Sequence, residues 1–159
     1  MAQQLSGKRY AQAIFDLAQE NNQVEQWGED LAVVAEAFED ADFTALMKHA
    51  DMSNVAKLAA TATVLAGVNA MVRNLVDLLV SKNSVDSIVG VYTGYIELLD
   101  NHLGRQRVEV TTAVPLESAE ADRINSFVAG LVRREVVLTT NVDESIIGGL
   151  VIQIGDRLL

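Results

Sequence analysis

Only one proline, Pro115, interrupts the chain, and it follows a long stretch whose apolar positions recur at helical spacing. Without proline, helices before that point must stop at Gly, Asn, Ser or Asp. Such residues cluster at Asn21-Asn22, Asp40 to Asp42, Asp51 to Asn54, Gly67 to Asn69, Lys82 to Ser84 and Gly104. They divide residues 1–104 into about six helices with short links, the pattern of a bundle. Half of all residues are hydrophobic but only 5% are aromatic, so the core is built mainly from Ala, Val, Leu and Ile, which favours close helix packing.

The pattern changes after Gly104. Arg107 to Val114 contains the alternation Val108, Glu109, Val110, Thr111, which predicts a half-buried strand stopped by Pro115. Leu116 to Arg134 reads as a helix. Ser118 is its expected N-cap, and Ile124, Phe127, Val128, Leu131 and Val132 are its expected apolar face. Two strands should follow, over Val136 to Val142 and Ile146 to Ile154. Charge also divides the chain near Gly104. Residues 1–104 carry 6 basic and 14 acidic side chains, whereas residues 105–159 carry 6 and 8. The predicted fold class is α+β, mainly α: a six-helix bundle over residues 1–104, then a small β-α-β-β domain over 105–159.

The formal net charge of −10 argues against a phosphate-backbone or anionic-lipid partner, so no nucleic-acid binding is expected. Cysteine is absent, which removes disulfides, thiolate metal sites and thiol nucleophiles. The longest uncharged run, Leu58 to Val72, is 15 residues and contains Thr61, Thr63 and Asn69. A membrane span needs about 20 apolar residues, so no direct membrane insertion is expected. Met1-Ala2-Gln3-Gln4 leads straight into an amphipathic helix, without the look of a signal or transit peptide.

Catalytic chemistry finds no foothold. His49 and His102 are the two histidines, and neither sits in a ligand pair at helical spacing, so no metal is expected. Gly148-Gly149 lacks the helix-opening pattern and basic partner of a phosphate loop, and a bending strand explains it better. Gly90 and Gly94 are spaced for close helix packing on a soluble helix. The acidic group Glu36, Glu39, Asp40 and Asp42 reads as a solvated helix end. No cofactor and no catalytic residue are assigned, and an enzyme using carboxylates alone would need a buried, raised-pKa acid.

Two helices, however, are too apolar for one-sided burial. Tyr10, Ala13, Ile14 and Leu17 form one stripe on the first helix, and Ala11, Ile14, Phe15 and Ala18 another. At about 100° per residue the two cover about 200°, where a stripe of about 100° serves a surface helix. Met71, Val72, Leu75, Val76, Leu78, Leu79 and Val80 spread as widely, relieved by Arg73, Asn74 and Asp77. Either both helices are central, or part of each lines a groove for a partner's amphipathic helix. Periodicity leaves both open.

Two segments carry a resemblance to a known family. Lys8-Arg9-Tyr10-Ala11-Gln12-Ala13-Ile14-Phe15-Asp16-Leu17-Ala18, continued by Val24-Glu25-Gln26-Trp27, resembles the opening helices of the delta subunits of ATP synthase. That family includes the mitochondrial oligomycin-sensitivity-conferring protein. Val142-Asp143-Glu144-Ser145-Ile146-Ile147-Gly148-Gly149, followed by Gly155-Asp156, is similar to the family's C-terminal signature. The resemblance implies a non-catalytic stator subunit of a rotary proton-translocating ATP synthase. Such a subunit would link the N-terminal helix of an alpha subunit on the catalytic head to the peripheral-stalk b subunits, and would resist torque. It would sit peripherally on the cytoplasmic face of a bacterial plasma membrane, or less readily on a plastid thylakoid. The implied groove lies between the first and fifth helices, the two with over-wide arcs. Tyr10 and Ala13 with Asn74 and Leu78 are its expected contacts, together with Ile14, Leu17, Leu75 and Leu79, and Trp27 is expected as core beneath it. Members of the family continue past the last strand with Asp-Gly-Ser and a basic amphipathic helix, while this sequence stops at Leu158-Leu159, so a C-terminal tail is expected to be missing. The rival reading is a general helical protein–protein adaptor unrelated to ATP synthase, and co-purification with alpha and b subunits separates the two.

Overall fold

The computed structural model describes residues 2–159. The chain divides into two compact units, one ending at Leu99 and one spanning Asp100–Leu159. It is mainly helical, with a small four-stranded sheet.

The first unit contains α1 (Ala2–Glu20), α2 (Val24–Glu39), α3 (Ala41–Lys48), α4 (Asn54–Val64) and α5 (Ala70–Ser81). A 3-10 turn over Val85–Ser87 leads into α6 (Ile88–Leu103), whose last residues belong to the second unit. Polar residues end these helices as their chemistry dictates. The side chains of Asp40, Ser53 and Asn69 accept hydrogen bonds from the free N–H groups of Phe43, Ala56 and Met71. Asn22 and Asn83, after α1 and α5, take the left-handed conformation that asparagine tolerates better than most residues.

Packing in this unit combines a few large rings with many small side chains. Trp27 is 1% exposed, and its indole N–H donates to Gln23 Oε1 at 2.9 Å. Phe15 meets Tyr95 edge-on at 5.3 Å, and the Tyr95 hydroxyl donates to the Val24 carbonyl at 2.7 Å. Burial pushes the Tyr95 phenol well above its ordinary pKa. Asp30 of α2, itself buried, accepts the backbone N–H of Asn69 at 3.1 Å and so fixes the entry to α5.

The glycines at helical spacing have a structural use. A Cβ added to Gly7 of α1 would lie 3.0 Å from the Gly90 carbonyl carbon of α6. One added to Gly94 would lie 2.9 Å from the Ala11 Cβ. The two backbones therefore cross closer than any side chain at these positions would permit.

The second unit contains β1 (Arg105–Thr112), α7 (Ser118–Val132), β2 (Glu135–Val142), β3 (Leu150–Ile154) and β4 (Arg157–Leu158), with strand order β2-β1-β3-β4. Helix α7 is the crossover between parallel β1 and β2, and β3 runs antiparallel to β1. The core of this unit joins Val108, Val110, Val136 and Ile152 of the sheet to Val128 of α7, bordered by Leu116, Ile124, Ala129, Val132, Leu138 and Ile154.

Several expectations need correction here. The N-cap of α7 is Glu117: its carboxylate accepts the N–H of Glu120, whose own carboxylate accepts from the Glu117 N–H at 3.2 Å. Ser118 is simply the first helical residue. Strand β3 starts at Leu150 and not at Ile146, because Gly148 and Gly149, with φ of 152° and 78°, turn the chain first. Its end at Ile154 is as expected, and Gly155-Asp156 then forms a two-residue hairpin loop into β4, with Gly155 at φ 58°. The expected apolar face of α7 also divides. Ile124, Val128 and Val132 meet the sheet, whereas Phe127 is 63% exposed and Leu131 58%.

Candidate functional site

Helix α1 packs on α2 and on the 3-10 turn, and so does α5. Both helices therefore flank the same two neighbours, and each buries only part of its apolar arc. On α1 the covered part is Ala11, Ile14, Phe15 and Ala18. Tyr10 and Leu17 are half-buried at its shoulder, and Ala13 is exposed. On α5 the covered part is Val72, Val76, Leu79 and Val80. Leu75 is half-buried, Asn74 is exposed, and Leu78 is 42% exposed.

The eight expected contacts thus separate into two groups. Ile14 and Leu79, 3% and 1% exposed, belong to the core and offer no surface to a partner. This corrects their assignment: their side chains already fill the interior of the unit. Tyr10, Ala13, Leu17, Asn74, Leu75 and Leu78 retain accessible surface. Trp27 is buried.

The geometry of α5 explains which side stays open. The flank carrying Asp77 is closed by α4, where the buried Thr61 hydroxyl donates to Asp77 Oδ1 at 2.9 Å. At about 100° per residue, Leu75 and Leu78 project from the opposite flank. Met71, 40% exposed, lies on that flank as well and was not among the expected contacts. Its spacing of four from Leu75 and seven from Leu78 was the signal that could have added it.

An open cleft of about 470 Å³ sits over the glycine crossing, lined by Lys8, Asp86, Val89, Thr93 and Glu97 beside Gly90 and Gly94. Asp86 is already engaged by Lys48. Among the described residues no three His, Asp or Glu side chains gather to hold a metal ion, and no helix is long and apolar enough to cross a membrane.

In the second unit, the segment Asp143-Glu144-Ser145 is organised by its own side chains. The Ser145 hydroxyl and, at 2.9 Å, its backbone N–H both serve the Asp143 carboxylate, and hold its pKa below the ordinary aspartate value. The Asp143 N–H in turn donates to the Thr112 carbonyl at 2.8 Å, which anchors the turn at the end of β1. A depressed pKa means the interaction is fully present above the unfolded aspartate value and is lost as pH falls through the folded one. A carboxyl-detected NMR titration should therefore find Asp143 protonating below an ordinary aspartate, and Ser145→Ala should move its midpoint upward. An unmoved midpoint would show that Ser145 does not stabilise the carboxylate.

The chain is an α+β protein, mainly α, whose helices α1 and α5 carry half-covered apolar shoulders. Residues 7–159 match the family model described as ATP synthase delta (OSCP) subunit. The chain is 31% identical over 153 residues to the ATP synthase subunit delta of Leuconostoc citreum, covering 95% of this chain and 85% of that protein. It is 34% identical over 152 residues to the subunit delta of Anaeromyxobacter dehalogenans, covering 93% and 84%. Its fold is shared with a chain of the Toxoplasma gondii mitochondrial ATP synthase hexamer solved by cryo-EM, at a TM-score of 0.75 and 18% identity, over 96% of this chain and 88% of that one. The chain belongs to the ATP synthase delta (OSCP) subunit family.

Proposed function

We propose that the chain is the non-catalytic stator adaptor of a rotary proton-translocating ATP synthase. In this reading α1 to α6 act as a six-helix bundle that holds the N-terminal helix of an alpha subunit, and the second unit faces the peripheral-stalk b subunits. The complex would place it peripherally on the cytoplasmic face of a bacterial plasma membrane. The observation that carries the reading is the pair of half-covered apolar shoulders, Tyr10, Ala13 and Leu17 on α1 with Met71, Leu75 and Leu78 on α5, in a chain of this family.

The mechanism is mechanical. A catalytic head that must stay still while a shaft turns needs a joint that resists torque, and the joint itself does no chemistry. An amphipathic helix laid on the two shoulders removes apolar surface from water, worth roughly 25 cal/mol per Å² before ordering and rigid-body costs. Leu75, Leu78 and Tyr10 supply apolar contact, Ala13 allows close backbone approach, and Asn74 offers an amide to fix the register of the guest. Such a contact is non-directional in its apolar part, so it holds under load while tolerating small tilts.

Titration of the chain with a synthetic alpha N-terminal peptide, followed by Trp27 fluorescence, tests the proposal. Trp27 lies buried on α2, which contacts both helices, so a saturable change at one peptide per chain is expected. No binding by fluorescence and none by calorimetry would remove the head-binding role.

A further inference from the structure

The apolar arc of α5 is too wide to decide, by itself, which side of the helix faces inward. Val72, Val76, Leu79 and Val80 are buried, at 0% to 1% exposure. At about 100° per residue, a roll of about 100° would turn Met71, Leu75, Leu78 and Leu79 inward instead. Both sets are wholly apolar, and the second has the larger side chains. Hydrophobic burial is non-directional and roughly proportional to area, so it does not select the first set over the second. A directional contact is needed.

Two such contacts hold α5. Asp30 of α2, 8% exposed, accepts the Asn69 N–H at the start of the helix at 3.1 Å. Eight residues further on, about 12 Å along the axis, Asp77 Oδ1 lies 2.9 Å from the Thr61 hydroxyl of α4. That hydroxyl shares its one proton with the Leu58 carbonyl, also at 2.9 Å, within α4 itself. Helix α4 packs on α5 with a polar stripe. Thr61 is 0% exposed and Lys57, the one charged residue of α4, is 3% exposed, whereas Val55 and Val64 are 80% and 49% exposed. This is the reverse of an ordinary surface helix. The first contact fixes where α5 begins, and the second fixes its roll. Rolling α5 by about 100° would swing Asp77 away from Thr61.

We propose that Thr61 and Asp77 are positioning residues for the guest-binding wall. Their hydrogen bond holds α5 at the roll that leaves Met71, Leu75 and Leu78 accessible. This deepens the stator reading and, for its effect on affinity, rests on it. The pair selects among rolls rather than adding net stability. Apolar replacements of similar volume commonly match or exceed the stability of a buried polar contact, whose use is then to pick one arrangement. Affinity for the guest scales with the fraction of chains that hold the binding roll.

The chain has no cysteine, so thiol labelling of single substitutions in the full chain reads the roll. Val76→Cys places a thiol at a site 1% exposed, and Leu78→Cys at one 42% exposed. In the otherwise unaltered chain the second should label far faster than the first. Adding Thr61→Val/Asp77→Leu should shrink that contrast at least tenfold, with the urea midpoint held or raised. Without either cysteine, the same double variant should bind the alpha N-terminal peptide at least tenfold more weakly. Thr61→Ser keeps the hydroxyl and should restore full binding. If the double variant keeps either the labelling contrast or the affinity, the inference is overturned. A lowered urea midpoint makes the pair an ordinary structural contact and overturns it too. Should the leucine overpack and the chain lose its helicity, Thr61→Val/Asp77→Ala is read in its place. If the unaltered chain binds no alpha peptide, the stator reading fails, and the labelling contrast still decides what sets the roll.

Discussion

Ala13→Asp and Leu78→Asp should each weaken binding of the alpha N-terminal peptide by about 100-fold while leaving the helical circular dichroism of the chain unchanged. The size follows from placing a carboxylate against an apolar guest: at roughly 1.4 kcal/mol per tenfold, it corresponds to about 3 kcal/mol, within the range of an interface hot spot. Retention of the fold follows from position. Ala13 is exposed and Leu78 is 42% exposed, so neither carboxylate is forced into the interior. Their neighbours make the control. Ile14→Asp and Leu79→Asp put the same group at residues 3% and 1% exposed, and should unfold the chain rather than select against a ligand. Unchanged affinity in Leu78→Asp would remove α5 from the proposed surface. Loss of helicity in Ala13→Asp would mean that position is core.

Gly94→Val should lower stability by about 3 kcal/mol, read as a fall in the urea midpoint at unchanged slope. A bare Cβ at Gly94 already comes to 2.9 Å from the Ala11 Cβ, and valine adds two methyl groups against the same wall. Relief would require α1 and α6 to move apart, which undoes the neighbouring approach of Gly7 to Gly90. Gly130→Ala in α7 is the matched control, with nothing within 4 Å of its new Cβ and no positive φ. There the ordinary helix preference applies, and a gain of about 0.5–1 kcal/mol is expected. The opposite signs separate packing from propensity. A neutral Gly94→Val would show that the crossing is looser than the structure has it.

Segmentation was legible because it is local chemistry. Asp40, Ser53 and Asn69 stop or start helices with their own side chains, and the breaks expected at these points are helix ends in the structure. The change of period after Gly104 is equally local, and β1, α7, β2 and β3 follow in the expected order. The errors in this half also have local causes that spacing does not display. Glutamate caps α7 because its carboxylate reaches the third residue, and Gly148-Gly149 turns the chain before β3 instead of bending within it. A two-residue strand such as β4 has no period to read.

The candidate surface was half legible. Hydrophobic spacing marks which arc of a helix avoids water, and on α1 and α5 it marked arcs that are wider than needed. It contains nothing about where the neighbouring helix or sheet stops. Leu78 and Leu79 are adjacent and chemically identical, yet one is 42% exposed and the other 1%. Phe127 and Val128 are adjacent too, and only the second meets the sheet. Residue types, capping groups and the two family motifs are properties of the chain read in order, and they suffice for the class of fold and for the family. Which shoulder of an apolar arc stays open depends on the direction from which distant segments approach it. That is a non-local consequence of packing, and it appears only once α4 has closed one flank of α5 and left the other bare.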